Sequence, residues 1–276
     1  MKTNTEAFIF MSVFYQQGKW HSLLSTIQRE IFSQPEIRNE LTGLIIYLNR
    51  HRGSGIRLAL KFKKPATGAY KLIEDPIHSF LIGNPSISQP RRFPITGFFT
   101  DFPNNEIRYN LFNQRAIMPA GLYSFQILLS NILLIFFEDH PVDDDGVFTL
   151  VTYLQIAILD GICTTEEFKR EFCLIAMNQM KNNNKLIPAD MIDIQPVHLL
   201  DEFEGDLMEP GDIDELFEDI EKASRILSMH TGNLLSSYFT ILHIIQLQLF
   251  RIPAEVFFDS LDHLRMSHQY EMAGDN

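Results

Sequence analysis

Near residue 120 the apolar period of this sequence changes. Before it, apolar residues alternate, or nearly so, over 6–15, 43–49 and 55–62, and in "ITGFFTDF" (95–102) and "EIRYNLFN" (106–113). That is the pattern of β-strands. After it they recur every three or four residues over 120–138, 147–160, 165–181, 212–229, 234–250 and 253–269, the last with Pro253 in its first turn. In the first half only "KWHSLLSTIQREIF" (19–32) has helical spacing, with a short helix expected at 69–81 in a polar connection. Strands first and helices after predict an α+β fold, a mixed or antiparallel sheet packed with a mainly helical C-terminal half. Residues 1–276 are expected to form a single domain without repeats. With 45% hydrophobic residues, including 23 Phe, the chain has the material for a large core.

Several classes are argued against. The longest apolar run, "LYSFQILLSNILLIFF" (122–137), is short for a bilayer and contains Gln126 and Asn131, so it predicts a buried helix. The N-terminus lacks the pattern of a signal peptide. Cys163 and Cys173 form no CxxC or zinc pattern and are expected to be reduced thiols, as in a soluble cytoplasmic protein. The net charge of −12 disfavours direct nucleic-acid binding. "HPVDDDG" (140–146) has contiguous aspartates, which cap a helix or turn better than they ring a calcium ion. Metal, nucleotide and hydrolase motifs are absent from the sequence, so no cofactor or metal is expected. Residues 186–221 hold thirteen Asp or Glu and no Lys or Arg. They read as a solvated acidic loop running into a charged helix, or as a docking surface for a basic partner.

Two stretches carry candidate chemistry. "LIIYLNRHRGSGIRLALKF" (44–62) reads as a hairpin whose turn draws on Gly53 and Gly55 for positive φ. Ile56, Leu58, Leu60 and Phe62 share one face and must meet the core. Arg57, Ala59 and Lys61 share the other, which is either solvated or a cationic face that grips a carboxylate. "LLSSYFTILHIIQLQLF" (234–250) is an apolar rod with one polar stripe: Ser236, Thr240, His243 and Gln246. His243 is either a satisfied core residue or a proton-transfer group.

These stretches, in this order, resemble the C-terminal elimination domain of class I lantibiotic dehydratases, a family that also occurs as separate proteins in thiopeptide-type bacteriocin biosynthesis. "GIRLALKF" stands where the family tends to show H-[IL]-R-L-R, and "NEIRYNLF" where it tends to show E-R-Y-G-G. "ILHIIQLQLFRIPAEVFFDSLDHLR" stands where it shows H-M-x-x-N-R-L, a turn and a terminal helix.

The resemblance implies a split component that eliminates glutamate from glutamylated Ser or Thr of a precursor peptide, leaving dehydroamino acids. Related members instead join two dehydroalanines into a pyridine ring, and a divergent member that only binds precursor or partner is a third reading. Implied partners are the precursor peptide, a separate large glutamylating dehydratase subunit and a cyclase; self-association is left open. Carried over by position, the catalytic candidates are Arg57, Arg108 and His243, with Lys61, Thr240 and Gln246 as secondary substrate contacts. Four departures stand out: Gly55 for the histidine, Ala59 for the second arginine, Asn110-Leu111 for Gly-Gly, and Leu247-Gln248 for Asn-Arg.

Overall fold

The computed structural model describes residues 7–50, 52–63, 68, 70–87, 101–113, 116–118, 120–183, 212–250 and 252–274. Strand β1 (Ala7–Phe14) leads through one 3-10 turn into helix α1 (Trp20–Ser33) and the short α2 (Pro35–Glu40). The chain returns as a hairpin, β2 (Leu41–Asn49) and β3 (Gly55–Phe62), followed by α3 (Lys71–Gly83) and β4 (Glu106–Tyr109). The described remainder is helical: α4 (Ala120–Asp139), α5 (Asp144–Ile162), α6 (Glu166–Asn183), α7 (Ile213–Thr231), α8 (Leu234–Gln248) and α9 (Ala254–Gly274). The α+β reading therefore holds. Of "ITGFFTDF", 95–100 lie outside the described residues and Asp101–Phe102 are not strand. "EIRYNLFN" is strand over its first four residues, because Asn110 turns into the left-handed region (φ 57°) and breaks the ladder.

The four strands pair antiparallel in the order β2-β3-β1-β4. The hairpin differs from expectation in one detail. Its left-handed residues are Arg52 (φ 57°) and Gly53 (φ 112°), and Gly55 is already strand. Gly55 is required for another reason: a Cβ there would lie 2.5 Å from the carbonyl oxygen of Val13. The neighbouring strand leaves no room for a side chain.

Ile56, Leu58, Leu60 and Phe62 are buried, as their alternation requires. The opposite face is buried too over much of its area, which corrects the expectation of a wholly solvated surface. Ala59 lies in the cross-strand row Ile45–Ala59–Phe10, and all three are buried. The cover comes from outside the sheet. Phe112 meets Phe10 and Tyr47 at centroid distances of 5.0 and 5.7 Å, and Tyr123 of α4 meets Phe8 at 5.9 Å.

Strand β2 has an open edge, and helices close it. Ser130 Oγ of α4 accepts from the Ile46 amide (2.9 Å) and donates to the Gln126 carbonyl (2.6 Å). Gln248, at the end of α8, directs its amide nitrogen to the Ile46 carbonyl (3.0 Å), the Gln126 carbonyl (3.1 Å) and Ser130 Oγ (2.9 Å). One residue further, Leu249 bridges parallel to Leu48, and the Phe250 amide donates to the Leu48 carbonyl (2.9 Å). Buried polar groups thus satisfy an edge that would otherwise invite foreign strands.

Helices α4 and α5 contain stretches long and apolar enough to cross a membrane, yet 78% and 61% of those stretches are buried inside the fold. Gln126 explains part of α4's polarity: it accepts from the Met118 amide (2.8 Å) and donates to Tyr47 Oη (3.2 Å). The aspartate cluster acts as a cap, with Asp143 accepting from the Gly146 amide at 2.8 Å to start α5. Of the acidic segment, 186–211 lie outside the described residues, and Asp212 caps α7, whose first turns carry the rest. Cys163 and Cys173 are free and buried. Burial pushes their thiols up to about 12 and about 11.

Gln248→Met is expected to lower unfolding free energy by about 2–3 kcal/mol, because buried acceptors at Ile46 and Gln126 lose their donor. Urea unfolding measures this, and Ser130→Ala should add less in the Gln248→Met background than alone. The thiols give a pH signature. An unfolded cysteine ionises near 9.0, whereas here ionisation waits until about 11 or 12. The native state therefore holds protons that the unfolded state has released, so stability is full below pH 9 and falls between 9 and 12. A Cys163→Ser, Cys173→Ser variant should flatten that fall in thermal melts taken across the window.

Candidate functional site

The strand register draws one line across the sheet: Tyr47, Arg57, Ser12 and Arg108 are direct cross-strand partners on a single face. Where that line meets the end of α8, a cavity of about 490 Å³ opens. Tyr47, Arg50, Arg57, Phe112, Leu247 and Phe250 are among its walls.

Each wall is placed by a separate local cause. Strand alternation aims Arg57 out of the core face, and its guanidinium lies over the Phe112 ring at 5.6 Å. Tyr47 is fixed by donating to the Ala116 carbonyl (2.7 Å) and accepting from Gln126. Burial drives its phenol well above the ordinary range, so it stays neutral. Arg50 follows β2, with its guanidinium 3.8 Å from the Phe250 ring centroid and 3.1 Å from Asp144. Phe250 has φ 42°, a left-handed backbone that a bulky aromatic residue rarely adopts. The hydrogen bond to Leu48 and the seating of its ring under Arg50 hold it there.

Arg57 stands in the cavity. His243 is half-buried on α8, one turn before Leu247 and on the same helix face, about 6 Å along the axis. That face is turned toward the cavity, since Leu247 lines it. Arg108 shares the line of Arg57 but lies two strands away, about 10 Å across the sheet. It is half-exposed and holds Glu106 with two nitrogens (2.8 and 2.5 Å). Lys61 sits against the Tyr123 ring at 4.8 Å, further along β3. Thr240 donates back to the Ser236 carbonyl (2.8 Å), and Gln246 donates to the Ile252 carbonyl (2.8 Å), bracing the turn before α9. Of the sequence candidates, Arg57 lines the cavity, while His243, Arg108, Lys61, Thr240 and Gln246 are not among its lining residues.

Sequence reasoning missed Arg50, Tyr47, Phe112 and Phe250. Arg50 was visible as the first basic residue of the hairpin turn. The aromatic walls were not, because they come from segments far apart in sequence. Among the described residues no cluster of His, Cys, Asp or Glu has the arrangement of a metal site. A half-enclosed space with aromatic walls and cationic donors suits a flat, unsaturated or carbonyl-bearing group whose oxygen carries negative charge.

No protein-family profile matches the chain, and no curated protein matches its sequence. Among solved structures, the pyridine synthase TbtD from thiomuracin biosynthesis matches with a TM-score of 0.57 at 11% identity. The match covers 98% of this chain and 100% of that one. The chain is thus similar in fold to an enzyme of thiopeptide biosynthesis. The likeness is one of fold to a thiopeptide-pathway enzyme, and the dehydratase elimination domain expected from the sequence is not itself shown.

Proposed function

We propose that this chain tailors a ribosomally made precursor peptide in a thiopeptide-type pathway, joining dehydroamino-acid residues of an already dehydrated peptide. The carrying observation is the end-to-end fold match to a pyridine synthase, together with a cavity that presents Arg57 between aromatic walls. Joining two dehydroalanines requires both alkenes to be held in contact and a backbone carbonyl to be polarised. Tyr47, Phe112 and Phe250 supply flat apolar walls for the alkenes. Arg57 donates to the carbonyl oxygen as negative charge develops there. His243, one turn before the cavity-lining Leu247 on α8, moves the amide N–H proton to the carbonyl oxygen, so that the C=C–N=C unit so formed adds across the second alkene, two π bonds being consumed as two C–C bonds form. Other enzymes of such a pathway would prepare the dehydrated peptide beforehand.

A second reading, elimination of glutamate from a glutamylated peptide, is favoured by one observation: Arg57 and Arg108 share a sheet face. The distance between them and the pairing of Arg108 with Glu106 weigh against a single carboxylate gripped by both.

Two substrates separate the readings. A linear peptide carrying two dehydroalanines should be converted to a cyclised product, detected by mass spectrometry, and a glutamylated peptide should emerge unchanged. Arg57→Ala and His243→Phe should each lower the rate by about 100-fold or more, the usual scale for a lost transition-state donor or proton-transfer group. Loss of glutamate from the second peptide would replace the first reading with the second. Inertness toward both would remove the enzymatic assignment.

A further inference from the structure

A smaller cavity, of about 30 Å³, lies among α5, α6 and α9, and it shares no lining residue with the one at Arg57. Ile156 and Leu264 give it apolar walls, and Asp160, Lys169, Arg170 and Arg265 give it charged ones. Among these described residues three cations face one carboxylate, in a chain whose net charge is −12. The three cations are not equally engaged. Lys169 is held by Asp160 and by Glu166. Arg265 holds Asp262 with two nitrogens, at 2.8 and 3.2 Å. Glu166 and Asp262 are 56% and 43% exposed, so water screens the charge they offer. Arg170 differs: its Nε–H is buried and meets no acceptor among the described residues. A buried donor that has lost its water and gained no partner is the state a ligand would relieve. The space also limits the ligand. About 30 Å³ is close to the volume one water molecule takes in the liquid, so a single small group fits and a sulfate or phosphate does not fit whole.

We infer that this cavity is a site for one small monovalent anion, which accepts from the Arg170 Nε–H and is drawn in by the charges of Lys169 and Arg265. The ligand is a halide such as chloride, or the carboxylate head of a small organic acid whose remainder points to solvent. Asp160 opposes it, and this lining carboxylate keeps the affinity moderate. Because the anion draws on α6 and α9 while lying against α5, it clips the last helix to the helices it packs on. The site is independent of the proposed reaction, and binding tests it without turnover.

The probe is sodium chloride, titrated into the full chain while a bulky sulfonate buffer salt holds the ionic strength constant. Quadrupolar broadening of the chloride NMR line reports bound ion. The broadening should saturate, and Arg170→Gln should weaken it at least about 10-fold, the scale of one lost charge-assisted hydrogen bond. Arg225→Gln removes an equal charge from a surface pair with Glu221 on α7 and should leave it unchanged. Asp160→Asn should tighten chloride by about 3-fold, because the opposing carboxylate is gone, a readout that a folding defect at Arg170 would not produce. In thermal melts at the same ionic strength, chloride should raise the midpoint of the parent chain and not that of Arg170→Gln. Sodium acetate that displaces chloride at about 10-fold lower concentration would support the site and assign it to carboxylates. Broadening that never saturates, or that is equal in the parent and in Arg170→Gln, would overturn the inference.

Discussion

One buried amide ties the two halves of this protein together. Gln248 reaches the Ile46 carbonyl of the sheet, the Gln126 carbonyl of α4 and the hydroxyl of Ser130, all within 3.1 Å. Strand β2 cannot shift along its edge without breaking these contacts, and neither can the end of α8. Tyr47 is the next residue along β2, and Leu247 precedes Gln248, so the opposing walls of the cavity inherit their spacing from this knot. Gln248 has no exposed surface: its amide nitrogen is satisfied, while its Oε1 is buried without a hydrogen-bond partner, so part of its desolvation goes uncompensated.

The element order was legible because the hydrophobic period is a local property. Strands β1, β2 and β3 and the long helices fall within a few residues of where alternation and 3.6-residue spacing put them. What escaped the sequence was non-local. Alternation assigns Arg57, Ala59 and Lys61 to one face, correctly, but cannot say that Phe112 and Tyr123 arrive from elsewhere to bury much of it. The polar stripe of α8 was equally visible, yet Thr240 and Gln246 are used to satisfy nearby carbonyls. Only a partner search in three dimensions separates a stripe that stabilises a helix from one that serves a ligand.

Three of the departures from the family pattern acquire physical reasons. Gly55 stands where the backbone of β1 comes too near for any side chain. Ala59 lies in a buried row between Ile45 and Phe10, where a guanidinium would lose its hydration. Gln248 is the knot. These positions are packed into the fold, so each exchange is coupled to its neighbours and none is an isolated loss from a site.

Phe250 joins what would otherwise be separate parts. Its amide completes the sheet edge, its ring walls the cavity under Arg50, and its left-handed backbone turns the chain toward α9. The same residue is thus a rivet, a windowpane and a corner. Ring and torsion belong to one residue, so a substitution at Phe250 alters a cavity wall and the left-handed turn together. The wall of the cavity and the entry to the last helix are thus set by the same residue.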